Sequence, residues 1–233
     1  VLGYASVTDG SGTGLAYANG TNIVRLSSFS TLADNSNSAS TNYTTAGMAS
    51  NPLLWSNGIT TRSVGSLTLD ASAGSQVVNL GAVGNVLTLA GGAIQKVGGN
   101  DATLVGGQLG IANGDVIIQQ NGTGTLNVNT VVGGGSGGLL KIGSGTVQLT
   151  GGLTTAAATL NGTTSVTVPD GSVLSVGQAV TGGGIAPGTT VASISGNTVT
   201  LSTAATGTGS STLTFGTGNA YTGTTYIGGG VLK

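Results

Sequence analysis

Six aspartates, three lysines and two arginines carry all the side-chain charge of this 233-residue chain, which has no histidine, cysteine or glutamate. General acid–base work could fall only to Asp, Lys or Tyr. Thiol chemistry, disulfides and zinc sites built on Cys or His are excluded. A carboxylate pair across a glycosidic bond is the remaining enzymatic option. The candidates are Asp9, Asp34, Asp70, Asp101, Asp115 and Asp170, all well separated along the chain. Stacking of successive turns could still unite Asp101 with Asp115. The plainer reading is that each aspartate caps backbone N–H groups in a turn. Calcium sites want several oxygen ligands, usually with multiple carboxylates. Gly98-Gly99-Asn100-Asp101 is a truncated form of the calcium-binding G-G-x-G-x-D nonapeptide and reads as a turn. No catalytic residue, cofactor or metal ligand is assigned, and the chain is read as a non-enzyme.

Other motifs carry little chemistry. The Gly-rich stretches at 10–14 and 122–125 have no following helix to hold a phosphate. Five scattered cations give no footprint for nucleic acid. Asn19, Asn42, Asn121 and Asn161 open Asn-x-Ser/Thr triplets, as chance allows in a chain this rich in Asn and Thr. Lys–Asn cross-links of the pilin kind usually use a Glu catalyst, which is lacking here. No apolar stretch reaches the ~20 residues of a membrane span. Net charge is −1 and mean hydropathy +0.33, a pairing that argues against disorder. Thr, Ser and Asn must hydrate the surface, which suits an extracellular or cell-surface location. The chain opens at Val1 without a Met, as a processed product or a segment of something longer would.

The elements that position these residues are short strands. From Val64 the chain breaks into pieces such as VGSLTLDASAG, NVLTLAGG, AIQKVGGN, DATLVGG, DVIIQQNGTG and TVQLTGG. Each alternates apolar and polar residues, as at Leu67 and Leu69 or Leu126 and Val128, and each ends in Gly or Asn-Gly. Three such strands per turn give ~20–25 residues per coil, within the range of solenoid repeats. An antiparallel sandwich or barrel is the rival reading. The near-uniform Gly turns and Val, Leu and Ile inward positions favour a parallel β-helix, in which like residues stack from coil to coil. Residues 91–107 align with 137–152, Lys96 falling on Lys141.

Residues 1–63 are less regular and hold Tyr4, Tyr17, Phe29, Tyr43 and Trp55. They read as further coils with long loops, the aromatics forming a local core or, alternatively, a carbohydrate-binding patch. Residues 152–218 carry longer strands and Pro169 and Pro187. They read as a small antiparallel barrel or sandwich, inserted into a β-helix made of 1–151 and 219–233.

LLKIGSGTVQLTG, continued at NAYTGTTYIGGGVLK, resembles the autotransporter-associated β-strand repeat. Leu139, Leu140, Lys141, Gly143, Gly145, Leu149, Thr150 and Gly151 match its first half. Asn219, Tyr221, Thr222, Gly223, Thr224, Thr225, Gly230 and Leu232 match its second. The intervening block is the departure from the family pattern, and it is similar to a small β module of phage-tail and bacterial surface proteins. The resemblance implies a right-handed parallel β-helix passenger, exported, with no defined catalytic activity.

The expected function is that of a structural subunit or segment of an extracellular bacterial fibre or surface layer. The alternative is an adhesin-type binding module that contacts extracellular glycan; a polysaccharide-active enzyme ranks below both. The expected partner is another copy, joined head-to-tail through uncapped coil ends, with no nucleic acid and no membrane span. Val1, Leu2 and Tyr4 at one end and Asn219, Tyr221, Tyr226, Val231 and Leu232 at the other are the expected polymer interface.

Overall fold

The computed structural model describes the chain except residues 1, 11, 19, 83, 112, 113, 134–136, 152, 153, 173, 175, 217, 218 and 220, and the side chains of 2–5, 12, 111, 154 and 155. The fold is all-β: a parallel β-solenoid of about four turns carrying inserted antiparallel sheets. Its three faces follow from the parallel registers. On face I, Tyr43, Leu67, Ile94, Ile118, Lys141 and Ile227 stand in one column. On face II the column is Leu53, Val78, Leu104, Val128 and Leu149. On face III, Arg62, Leu87, Leu109 and Val132 stack. The buried apolar members of these columns, together with Leu69, Leu89, Leu126, Leu139 and Val147, form one continuous core, from which Ile227 is left out. Stacking Val, Leu and Ile on themselves satisfies the backbone ladder and buries the alternate side chains together.

Two of the strand pieces read separately in the sequence are one element. Val86–Val97 runs along face III and then face I, as does Thr61–Asp70. Ala102–Ile111 and Thr125–Gly133 likewise span faces II and III.

The described strands before residue 30 are not coils. Leu2–Asp9, Gly12–Ala18 and Ile23–Arg25 form an antiparallel meander. It lies against the outside of face I, where Leu15, Leu26 and Phe29 cluster with Ala93, Ile117, Leu140 and Ile142. Those outward positions of the upper coils are apolar, so they need a cover that solvent cannot provide. The coils begin at Ser30–Thr31, which pairs in parallel with Ser38–Thr44. Tyr43 and Trp55 are buried in the main core, so they form no surface patch for carbohydrate.

Among its described residues, the block between Gly151 and Asn219 holds six antiparallel strands in one sheet. Its long central pair runs from Thr154 opposite Phe215 to Asn161 opposite Thr208. The two outer strands meet through an antiparallel bridge between Ala179 and Thr190, which rolls the sheet towards a small barrel. It encloses its own core of Leu160, Val166, Val180, Val199, Leu213 and Phe215. The block does not stand clear of the solenoid. A cleft of about 640 Å³ is walled by Pro52 and Leu54 on the solenoid and by Leu174, Val176 and Ile194 on the insert.

Candidate functional site

The carboxylates are dispersed and engaged. Asp34 accepts from Ser56 N (3.0 Å), Asp70 from Ser72 N (3.0 Å) and Asp170 from Ser172 N (2.9 Å). Asp101 and Asp115 each reach one coil onward, to Thr125 N at 2.7 Å and Gly138 N at 2.6 Å. Stacking therefore does not pair Asp101 with Asp115. Asp9 forms an ion pair with Arg25 at 3.0 Å. Among the described residues no three His, Cys, Asp or Glu side chains converge as a metal site would require.

The two buried lysines lie where face I turns into face II. Lys96 is fully buried, and its Nζ donates to Gly98 O and, on the next coil, Thr123 O, both at 2.8 Å. Lys141, also fully buried, donates to Gly143 O (2.5 Å) and Gly229 O (2.8 Å). Between them Gln120 donates through Nε2 to Gly124 O at 3.0 Å. Each side chain ties a turn to itself or to the next turn, satisfying carbonyls that the tight Gly-rich bends leave without ladder partners. The aligned lysines are not directly equivalent in the ladder. Lys96 stands opposite Gln120 and Lys141 opposite Ile118: each lysine lies six residues before its face II column position, Ala102 or Val147, but on face I Lys141 occupies the place of Ile94 and Ile118, which lie eight residues before theirs.

Burial lowers the pKa of both lysines below the ordinary 10.5, with Asp101 partly opposing the shift at Lys96. In the unfolded chain they hold their protons up to about 10.5. Between the lowered folded values and 10.5 the unfolded state binds more protons, so stability rises with pH. Melting temperature is therefore expected to rise as pH climbs through that window. A Lys96→Met, Lys141→Met double variant is expected to lose the rise, which melts recorded in steps up to pH 10.5 would measure. A wild-type midpoint that falls across the same window would contradict this assignment of the lysines.

The solenoid's two ends differ. At the first coil, the lumen-facing Tyr43, Leu53 and Trp55 are 9 %, 6 % and 4 % exposed. Leu32 and Met48 pack against them, and residues 33–37 tie to the next coil through Asn57 Nδ2 to Asp34 O (2.8 Å) and Ser63 N to Asn37 Oδ1 (2.8 Å). Arg62 is buried there, its guanidinium 4.5 Å from the Trp55 ring centroid and bonded to Asn57 Oδ1. Desolvation lowers its pKa and Asp34 acts against that. Nothing in the sequence around Arg62 marks it as buried. This end is thus closed by the chain itself, which corrects the expectation that both ends are uncapped.

At the last coil, Ile227 continues the lumen column above Lys141 yet is 54 % exposed. Tyr226 and Val231 are also exposed, while Leu232 and Tyr221 are partly buried against the core. Tyr221 Oη lies 2.8 Å from Thr225 Oγ1. Asn219 sits over face III, accepting from Val132 N at 2.9 Å through Oδ1. The five expected residues of the second half thus all lie on the last coil but on different faces, Asn219 over face III, Tyr226 beside Ile227 on face I, and Val231 and Leu232 on face II. The structure does not place Leu2 and Tyr4 at a coil end: both belong to the strand Leu2–Asp9 of the lateral meander. Val1 lies outside the described residues. Comparison with protein-family models, curated proteins and solved structures yields no significant match to this chain.

Proposed function

We propose that this chain is a structural β-solenoid segment of an extracellular or cell-surface assembly, extended through its last coil. The supporting observation is the exposure of Ile227, a lumen-facing residue, beside exposed Tyr226 and Val231. A coil with an uncovered lumen and unpaired strand edges is a template for a further coil. Closure of the first coil by residues of the chain itself supports an assembly that extends from the last coil and not from the first. The joining element is a strand or coil from another copy or from adjoining chain, laid on Thr225–Ile227 and Val231–Leu232. Non-closing contacts of this heterologous kind generate filaments. The dispersed, turn-capping aspartates favour this reading over an enzyme, and the scarcity of charge and the resemblance of the terminal motif favour export.

The test is sedimentation velocity and electron microscopy of the wild type beside an Ile227→Lys, Val231→Lys variant. Wild-type chain is expected to associate with rising concentration into linear species, and the variant to remain monomeric with its fold intact. A wild type that stays monomeric up to about 1 mM, where contacts of only ~4 kcal/mol become populated, would refute self-assembly.

A further inference from the structure

Seven large apolar side chains are exposed among the described residues, and five of them fall into two groups. Tyr226, Ile227 and Val231 stand on the last coil. Leu54 and Val176, 50 % and 40 % exposed, line the cleft between solenoid and insert. Exposed apolar side chains gathered in one concavity mark an interaction surface, as singly scattered ones do not. Asp170 is the one charged residue on the cleft wall. It accepts from Ser172 N at 2.9 Å and Ser172 Oγ at 2.6 Å, both through Oδ1, which leaves Oδ2 for a donor from outside.

The last coil carries the complement. Leu232 stands opposite Val147 and packs against the core, so by alternation Val231 and Lys233 point outward from face II. Val231 is 46 % exposed, and Lys233 is exposed beside it. Lys96 and Lys141 are fully buried, Arg25 is paired with Asp9 and Arg62 with Asp34. Lys233 is therefore the one exposed cation without a carboxylate partner among the described residues. Leu54 lies on the first strand of face II and Val231 on the last, five strand spacings or about 24 Å apart. We infer that the cleft receives the outer surface of the last coil of a second copy, with Val231 against Leu54 and Val176 and the Lys233 ammonium at Asp170 Oδ2. The inference rests on the self-association proposed above and adds a receiving surface to it. The two surfaces differ and lie at opposite ends of the solenoid, so the contact is heterologous and does not close. The opposite charges select this pairing and set its register.

Lys233 is the only lysine open to solvent, so a carbodiimide reports its neighbour directly. The reagent joins amine and carboxylate as an amide and takes up the water lost. The test treats an equal mixture of 15N-labelled and unlabelled full chain at about 1 mM, where millimolar contacts are populated, and reads the digest by mass spectrometry. An amide between Lys233 and Asp170 that joins a labelled to an unlabelled chain is expected. Leu54→Gln is expected to lower its yield about tenfold at unchanged melting temperature, because Leu54 is half exposed. In sedimentation, Lys233→Asp and Asp170→Lys are each expected to weaken association about tenfold, and the two together to restore it, which a purely local role of either residue would not do. Linear species that lack this cross-link, or form it only within one chain or regardless of Leu54→Gln, would overturn the inference and leave extension through the open coil standing. A chain that stays monomeric and yields no cross-link would overturn both.

Discussion

Replacing Gly98 by alanine is expected to destabilise the solenoid by more than about 3 kcal/mol, whereas the same change at Gly99 should cost less than about 1 kcal/mol. Gly98 has φ +85°, and a Cβ there would lie 2.3 Å from the Ala71 carbonyl carbon and from Ser72 N, backbone atoms of the preceding coil. Neither can retreat without opening the bond from Ala71 N to Val97 O (2.9 Å) or the one from Asn100 N to Ala71 O (3.2 Å). The left-handed conformation adds its own penalty for any L side chain. At Gly99 the nearest atom to a new Cβ is Thr123 Oγ1 at 3.4 Å, a side chain that can rotate. For a domain of this size the Gly98 change lowers Tm by roughly 6–12 °C. Thermal melts of the two variants side by side measure the contrast, and equal midpoints would show that coil spacing at this turn is soft.

Deleting residues 152–218 and joining Gly151 to Asn219 is expected to leave the solenoid folded. The two ends are already neighbours: a Cβ on Gly151 would stand 2.5 Å from Asn219 N. Thr150 N still donates to Val128 O, and Asn219 Oδ1 still accepts from Val132 N, so the coil is in register on both sides of the junction. The insert has its own core, and the solenoid's core includes none of its described residues. What the deletion removes is one wall of the cleft at Pro52 and Leu54, a cost of about 1–2 kcal/mol at most on the apolar area involved. The deleted chain should keep a β-type far-ultraviolet spectrum and a cooperative melt within about 10 °C of the parent. Recovery of only unfolded material would mean that residues 152–218 belong to the solenoid's core. In assembled material, thinner or unbundled filaments would place lateral contacts on the insert.

The coil period and the insertion point were legible because they are written in local signals. Alternation at Leu67 and Leu69, Leu87 and Leu89, or Leu126 and Val128 gives strands, and Gly and Asn give the bends between them. The halves of the motif broken at Gly151 and Asn219 are adjacent in space because each keeps its own ladder partners. The meander was not legible. GLAYA and NIVR are as short and as apolar as coil strands, and nothing in a strand's own alternation states whether its neighbour runs parallel or antiparallel. The covered outer wall of face I was missed for a related reason. Thr68, Gln95 and Gln119 occupy outward positions in one column, and there polar residues ordinarily meet water. Only the meander laid across them, with Gln95 Nε2 reaching Thr13 O at 3.4 Å, turns that column into an interior. The lysines were visible as a repeated pair, but their direction was not, since a charged residue before a glycine turn reads first as solvated.

The insert also eases the closure of the last coil. Neighbouring coils meet across short stretches, as where Lys96 reaches Thr123 over 27 residues. Lys141 reaches Gly229 over 88. Closing the longer loop as open chain costs about 1 kcal/mol more, a toll that vanishes once Thr154 and Phe215 are zipped together by the insert's central strands. The inserted block thus acts as a clasp: its own folding holds Asn219 at the rim of the solenoid and lowers the cost of settling the last coil. The same coil is the first to peel away, with two short strands and one covered side to hold it. Its amides at Thr225–Ile227 should be the earliest in the solenoid to exchange with deuterium, so that the surface offered for assembly is the part of the molecule kept nearest to unfolding.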